Sequence, residues 1–133
     1  MLIILYSALF SYMLFFTLCI APLINSELDR KNSSKLLRKV FPRNFIFGGI
    51  LSFILLSYSI LQKNSLSIVF AFIILIFYLI NLYFILPKIN KEADSNNSQK
   101  NYSRKFKKLH LYSVLLYILQ IILSLTAITI FIN

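Results

Sequence analysis

Charge is absent from four long segments of this chain and crowded into the gaps between them. Residues 1–26, 44–62, 64–87 and 109–133 contain no Asp, Glu, Lys or Arg. Their lengths of 26, 19, 24 and 25 residues match the ~20 apolar residues, at ~1.5 Å rise each, that carry a helix across a bilayer. A barrel is disfavoured, because the segments lack a two-residue alternation and are about twice the length of a barrel strand. The chain therefore predicts an all-α fold, an integral membrane bundle of four antiparallel transmembrane helices at about 2–21, 44–62, 66–86 and 109–131. Residues 1–133 form a single transmembrane domain, since at 59% hydrophobic and 14% charged almost nothing remains for a water-soluble unit. The first segment reads as a helix rather than a secretory signal, for it has no basic n-region and no small-x-small cleavage site. Cys19, alone in the chain, reads as a small apolar packing residue.

The formal charge of +10 would suggest nucleic acid in a soluble protein, but its distribution argues against that partner. Thirteen of the fourteen basic residues fall in the first and third gaps; Lys63 alone occupies the second. The positive-inside rule then predicts basic cytoplasmic loops at 24–43 and 87–108, with both chain ends outside. Anionic headgroups of the lipid bilayer are the partner that this pattern fits first. A membrane-protein partner or a second copy of the chain stays open.

Within the first basic gap, "SSKLLRKVF" predicts a short helix capped by Ser33 or Ser34, with Leu36, Leu37, Val40 and Phe41 on one side and Lys35, Arg38 and Lys39 on the other. Such a helix would lie among headgroups. Gly48, Ser52 and Ser59 form one small-residue strip on the second segment, suited to close helix approach. Ala71, Tyr78 and Asn81 share a side of the third, where the Asn81 amide calls for partners inside the bundle. "KEADSNNSQKNYSRK" has no apolar period and reads as a loop. Pro22, Pro42 and Pro87 are expected to mark helix ends.

The fourth segment carries the most informative pattern. At ~100° per residue, His110, Ser113, Tyr117, Gln120 and Ser124 fall within an ~80° sector. Tyr112, Thr126 and Thr129 lie outside it. A polar seam is costly against lipid, so this side is predicted to face the other helices. The seam supports two readings: interhelical hydrogen bonding, or a polar cavity with His110 as proton acceptor or ligand at its mouth.

The remaining inventory bears on which chemistry such a cavity could support. All four carboxylates lie in the gaps, which disfavours a proton carrier built on intramembrane acids. One His, one Cys and two Met make a poor metal or haem-ligand set within one chain. Neither a glycine-rich phosphate loop nor a nucleophile–base–acid set is visible. No cofactor is called for, and the inventory points away from catalysis.

The quoted runs "FFTLCIAPLINSELDRK", "LLRKVFPRNFIFGGILSF", "NLYFILPKINKEAD" and "FKKLHLYSVLLYILQ" together resemble the transmembrane protein 205-like group, a bacterial four-helix membrane domain of unknown function. Its Phe-Pro before the second helix falls on Phe41 and Pro42. Its Asn ahead of a helix-end Pro falls on Asn81 and Pro87, and its His-x-x-Ser on His110 and Ser113. Two departures stand out: Tyr117 occupies the position of a family Asn, and Phe10 and Ser11 replace a Trp-Gly. The resemblance implies the fold and no activity.

The reading favoured at this point is a non-enzymatic structural, accessory or interaction protein of the inner membrane. The alternative is a small transporter or channel for a proton, metal ion or small solute along the seam. A haem- or metal-linked redox protein using His110 from two copies is a third.

Overall fold

The computed structural model describes residues 1–95 and 103–132. Among the described residues the chain is helical throughout, apart from short connections. Helix α1 comprises Leu2–Phe15, a π-helical turn at Phe16–Ile20 and a continuation over Ala21–Glu27. Helix α2 is one rod of 32 residues, Arg30–Leu61. Helix α3 runs Ser65–Ile80, passes through a second π-helical turn at Asn81–Ile85, and continues over Leu86–Ser95. Helix α4 spans Arg104–Ile132. All four are long and apolar enough to cross a membrane.

The four rods stand in a square. Helix α2 packs along α1 and α3, and α4 packs along the same two from the other side. Side chains link the diagonals: Tyr6 of α1 reaches Ser67 of α3, and Asn44 of α2 reaches Tyr117 of α4.

The helix surfaces are sorted as lipid requires. Ile46, Phe47, Phe53, Phe72, Phe84, Leu119, Ile122 and Leu125 point outward, while Ser52, Ser59, Ser67, Asn81, Gln120 and Ser124 are buried. Acyl chains are as apolar as Leu, so helix association rests on close packing and hydrogen bonds rather than on hiding apolar surface. The predicted small-residue strip supplies that approach. A Cβ added at Gly48 would lie 2.2 Å from Cζ of Tyr78, so only glycine admits that ring.

At the end away from the basic residues, the Ser59 and Ser67 hydroxyls are 2.6 Å apart and the Tyr6 hydroxyl donates to the Ser67 carbonyl at 3.1 Å. The α2–α3 connection is a short turn at residues 62–64. Lys63 takes a left-handed φ of 52°, and Asn64 bonds back to Ser59 while Lys63 bonds to Ile60, which closes α2 as a Schellman motif. The Asn64 side chain then caps α3 by accepting from Ser67 N–H at 2.9 Å.

The basic end differs most from expectation. Pro22, Pro42 and Pro87 do not end helices; the helix continues past each one. A proline lacks the N–H and clashes with the carbonyl four residues back. In α1 and α3 the π-helical turn relieves this: Ala21 bonds to Phe16 and Leu86 bonds to Asn81, five residues back, just before Pro22 and Pro87. Such local widening is how membrane helices absorb proline. Pro42 sits inside α2 at the level of the basic residues.

Most of the expected loops 24–43 and 87–108 is therefore helix. The segment expected to lie among headgroups is instead the first part of α2, whose N-cap position is Asp29 rather than Ser33 or Ser34. Residues 96–102 of the expected loop lie outside the described residues. The helical tails are tied by Arg38–Asp94 at 2.6 Å between α2 and α3, and by Lys105–Glu92 at 2.7 Å between α4 and α3.

Candidate functional site: a cavity at the basic end

Extending the helices past their prolines creates a vestibule. All four contribute to a cavity of about 520 Å³ at the basic end, within the ~300–1,000 Å³ of ordinary ligand sites. Helix α1 offers Phe16, Thr17 and Ala21; α2 offers Ser34, Leu37, Arg38, Phe41, Asn44 and Phe45. Helix α3 supplies Leu86, Ile89, Asn90 and Ala93, and α4 supplies Phe106, Lys107, His110, Ser113, Val114, Tyr117 and Ile118. Ala21 and Leu86 are the residues immediately before the prolines of the two π-turns, so the wide turns shape the wall.

Rings close the inner end. Phe16 lies 5.9 Å from Phe41 and 6.2 Å from Tyr117, Phe41 6.0 Å from Phe45, and Phe45 6.4 Å from Tyr117. Tyr78 backs this layer, edge-on to Tyr117 at 6.2 Å. Edge and offset contacts of this kind add to burial and fix ring orientation.

The polar atoms in the layer are engaged with one another. The Tyr12 hydroxyl reaches both the Asn44 carbonyl, at 2.9 Å, and the Asn44 side-chain oxygen. The Asn44 amide donates to the Tyr117 hydroxyl at 3.4 Å. Asn44 thus joins α1, α2 and α4 through one buried side chain.

The predicted seam divides into two parts here. His110, Ser113 and Tyr117 line the cavity. His110 is exposed, with its ring parallel to Phe106 at 6.3 Å and 7°, which fits a residue at the mouth. Gln120 and Ser124 are fully buried beyond the ring layer, and Gln120 lies ~15 Å along α4 from His110. Its amide donates to the Ile74 carbonyl at 2.9 Å.

Asn81 faces the bundle interior, as expected, but without the hydrogen-bond partners that its amide calls for there. It is fully buried, and among the described residues neither of its side-chain polar atoms is hydrogen-bonded. Among the described residues, the Gln120 side-chain oxygen and the Ser124 hydroxyl are likewise without a partner. Asn81 opens the π-turn of α3 and does not line the cavity. Tyr112, Thr126 and Thr129 are exposed, as their angles predict.

Sequence reading missed Arg38, Asn44, Asn90 and Lys107. Arg38 was expected on the solvated side with Lys35 and Lys39; it turns inward with Leu37 and meets Asp94. The signal was present in the spacing 37-41-45-48-52, which continues one helix face through Pro42. Treating the proline as a boundary hid it. Among the described residues, no group of three or more His, Cys, Asp or Glu could hold a metal ion.

Residues 4–98 match the model of a domain of unknown function, DUF4149. The chain belongs to the DUF4149 family. The matched residues include α1 from Ile4 onward, α2 and the described part of α3, whereas the predicted seam lies on α4. No curated protein and no solved structure matches the chain.

Proposed function

We propose that this DUF4149 protein is a non-enzymatic accessory protein of a bacterial inner membrane, with both chain ends outside, and that it works by holding a ligand in the basic-end cavity. The supporting observation is the ring layer. Phe16, Phe41, Phe45 and Tyr117 close the inner end of a cavity to which all four helices contribute, so the space is built to receive a molecule rather than to conduct one through. Among the described residues, the surrounding polar groups do not form a nucleophile and base pair within hydrogen-bond reach, which favours binding over conversion. The quoted motifs also support placement near the transmembrane protein 205-like group.

A second reading has its own support. Among the described residues, the unpaired atoms of Asn81, Gln120 and Ser124 continue beyond the ring layer, as a path opened by movement of Tyr117 would require. Native mass spectrometry of the chain purified in mild detergent separates the two. Binding predicts a bound mass that Val114→Trp, which fills the cavity, removes without changing helix content. It also predicts that vesicles containing the chain pass protons and monovalent cations no faster than empty ones. Flux abolished by Gln120→Leu, with no bound mass, replaces the first reading with the second.

A further inference from the structure

We propose that the occupant of the basic-end cavity is a single-chain anionic amphiphile: one acyl or similarly long apolar chain bearing a carboxylate or phosphate headgroup. The inference rests on the binding reading above and adds the ligand class. The walls and inner end are dominated by Phe16, Phe41, Phe45, Leu86, Val114 and Ile118, a lining that a small hydrophilic ion would leave unmet. The polar atoms of Asn44 and Tyr117 are already paired there, so the ligand has little call to present polar groups at depth.

The polar lining includes Arg38, Asn90, Lys107 and His110. Arg38 spends one edge on Asp94 at 2.6 Å, and a guanidinium carries five N–H donors, which leaves several for a headgroup. Lys107 adds a second cation, and no carboxylate among the described residues lines the cavity. Together these define a ligand with an anionic end near the basic side and an apolar body directed inward. The volume suits a drug-sized molecule, which one chain matches and a two-chain phospholipid exceeds.

Photolabelling tests this on the full chain in phosphatidylcholine nanodiscs. The probe is palmitate with a diazirine on its chain, compared with the corresponding long-chain alcohol, and adducts are mapped by peptide mass spectrometry. Palmitate should label Phe45, Val114 or Tyr117, with the alcohol at least about tenfold weaker. The double variant Arg38→Gln/Lys107→Gln should lose about tenfold. Asp94→Asn, which breaks the same ion pair but keeps both cations, should retain labelling. Lysophosphatidate should compete, and inorganic phosphate should not.

Equal labelling by the alcohol, or labelling of lipid-facing Phe53 and Ile122 as strong as that of the cavity, overturns the proposal. So does competition by inorganic phosphate, which would mark a free-anion site, or equal loss in Asp94→Asn, which would mark a structural role. A native bound component that proves neutral leaves the binding function standing and removes this ligand class. An empty cavity in both experiments removes both.

Discussion

Two buried amides on neighbouring helices give this bundle an internal control. Gln120 donates to the Ile74 carbonyl at 2.9 Å, whereas neither polar end of Asn81 is bonded. Removing Gln120 loses that bond, offset in part because its side-chain oxygen has no partner among the described residues, while removing Asn81 relieves the desolvation cost of both its ends. Interhelical hydrogen bonds in membranes average only about 0.6 kcal/mol, so the contrast should be modest but opposite in sign. Gln120→Leu is expected to lower unfolding stability in detergent by about 1 kcal/mol, and Asn81→Leu to leave it unchanged or raise it. A loss in Asn81→Leu as large as that in Gln120→Leu would mean that Asn81 has a bonded partner. Gly48 tests packing instead of polarity. Its missing Cβ is the space taken by the Tyr78 ring, so Gly48→Ala should cost roughly 1–3 kcal/mol through overpacking. In a Tyr78→Ala background the same change should cost under about 0.5 kcal/mol. An equal cost in both backgrounds would place the penalty elsewhere on α2.

At the scale of the helix, the turn after α2 offers the cleanest substitution. Lys63 holds a left-handed φ of 52° in the position of a Schellman motif that glycine usually fills, because a Cβ is strained there. Lys63→Gly should raise stability by about 1 kcal/mol and Lys63→Asn by less; thermal unfolding in detergent reads both, and a loss in Lys63→Gly would show that the side chain matters more than the backbone. The same elements show what could be read from sequence. Charge-free length alone identifies four spanning helices, because lipid leaves the backbone few alternatives. The buried side of α4 was legible at Tyr117, Gln120 and Ser124 through angle alone. The basic end was not, because Pro22, Pro42 and Pro87 are strong breakers in water yet are absorbed here by π-helical turns at Phe16–Ile20 and Asn81–Ile85 or carried within α2. A π-turn has no composition of its own that the sequence could reveal. Without the continued helices the cavity does not exist on paper, so Arg38 and Asn44 read as a loop residue and a helix start.

The whole molecule is asymmetric in charge, and that asymmetry governs how it sits in a bilayer. Its basic residues lie almost entirely at one end, with Lys63 alone in the turn at the other. Lys and Arg within about 15–20 residues of a span resist translocation, and anionic headgroups favour each basic residue near the surface by about 1 kcal/mol. The cavity opens among these residues, so under the proposed orientation, with both chain ends outside, a ligand would enter from the cytoplasmic leaflet or cytoplasm. Single-cysteine variants in a Cys19→Ala background test this through two exposed positions, Gln62 in the turn and Lys31 near the start of α2. An impermeant maleimide should label Gln62→Cys in intact cells within the time needed to label a known outside site. Lys31→Cys should react only after lysis. The opposite pattern would put the cavity mouth on the outer face, where any anionic ligand would have to come from outside. Labelling of both positions in intact cells would indicate mixed insertion, and adding basic residues beside Lys63 should then increase the inverted fraction, since the two ends would differ less in charge.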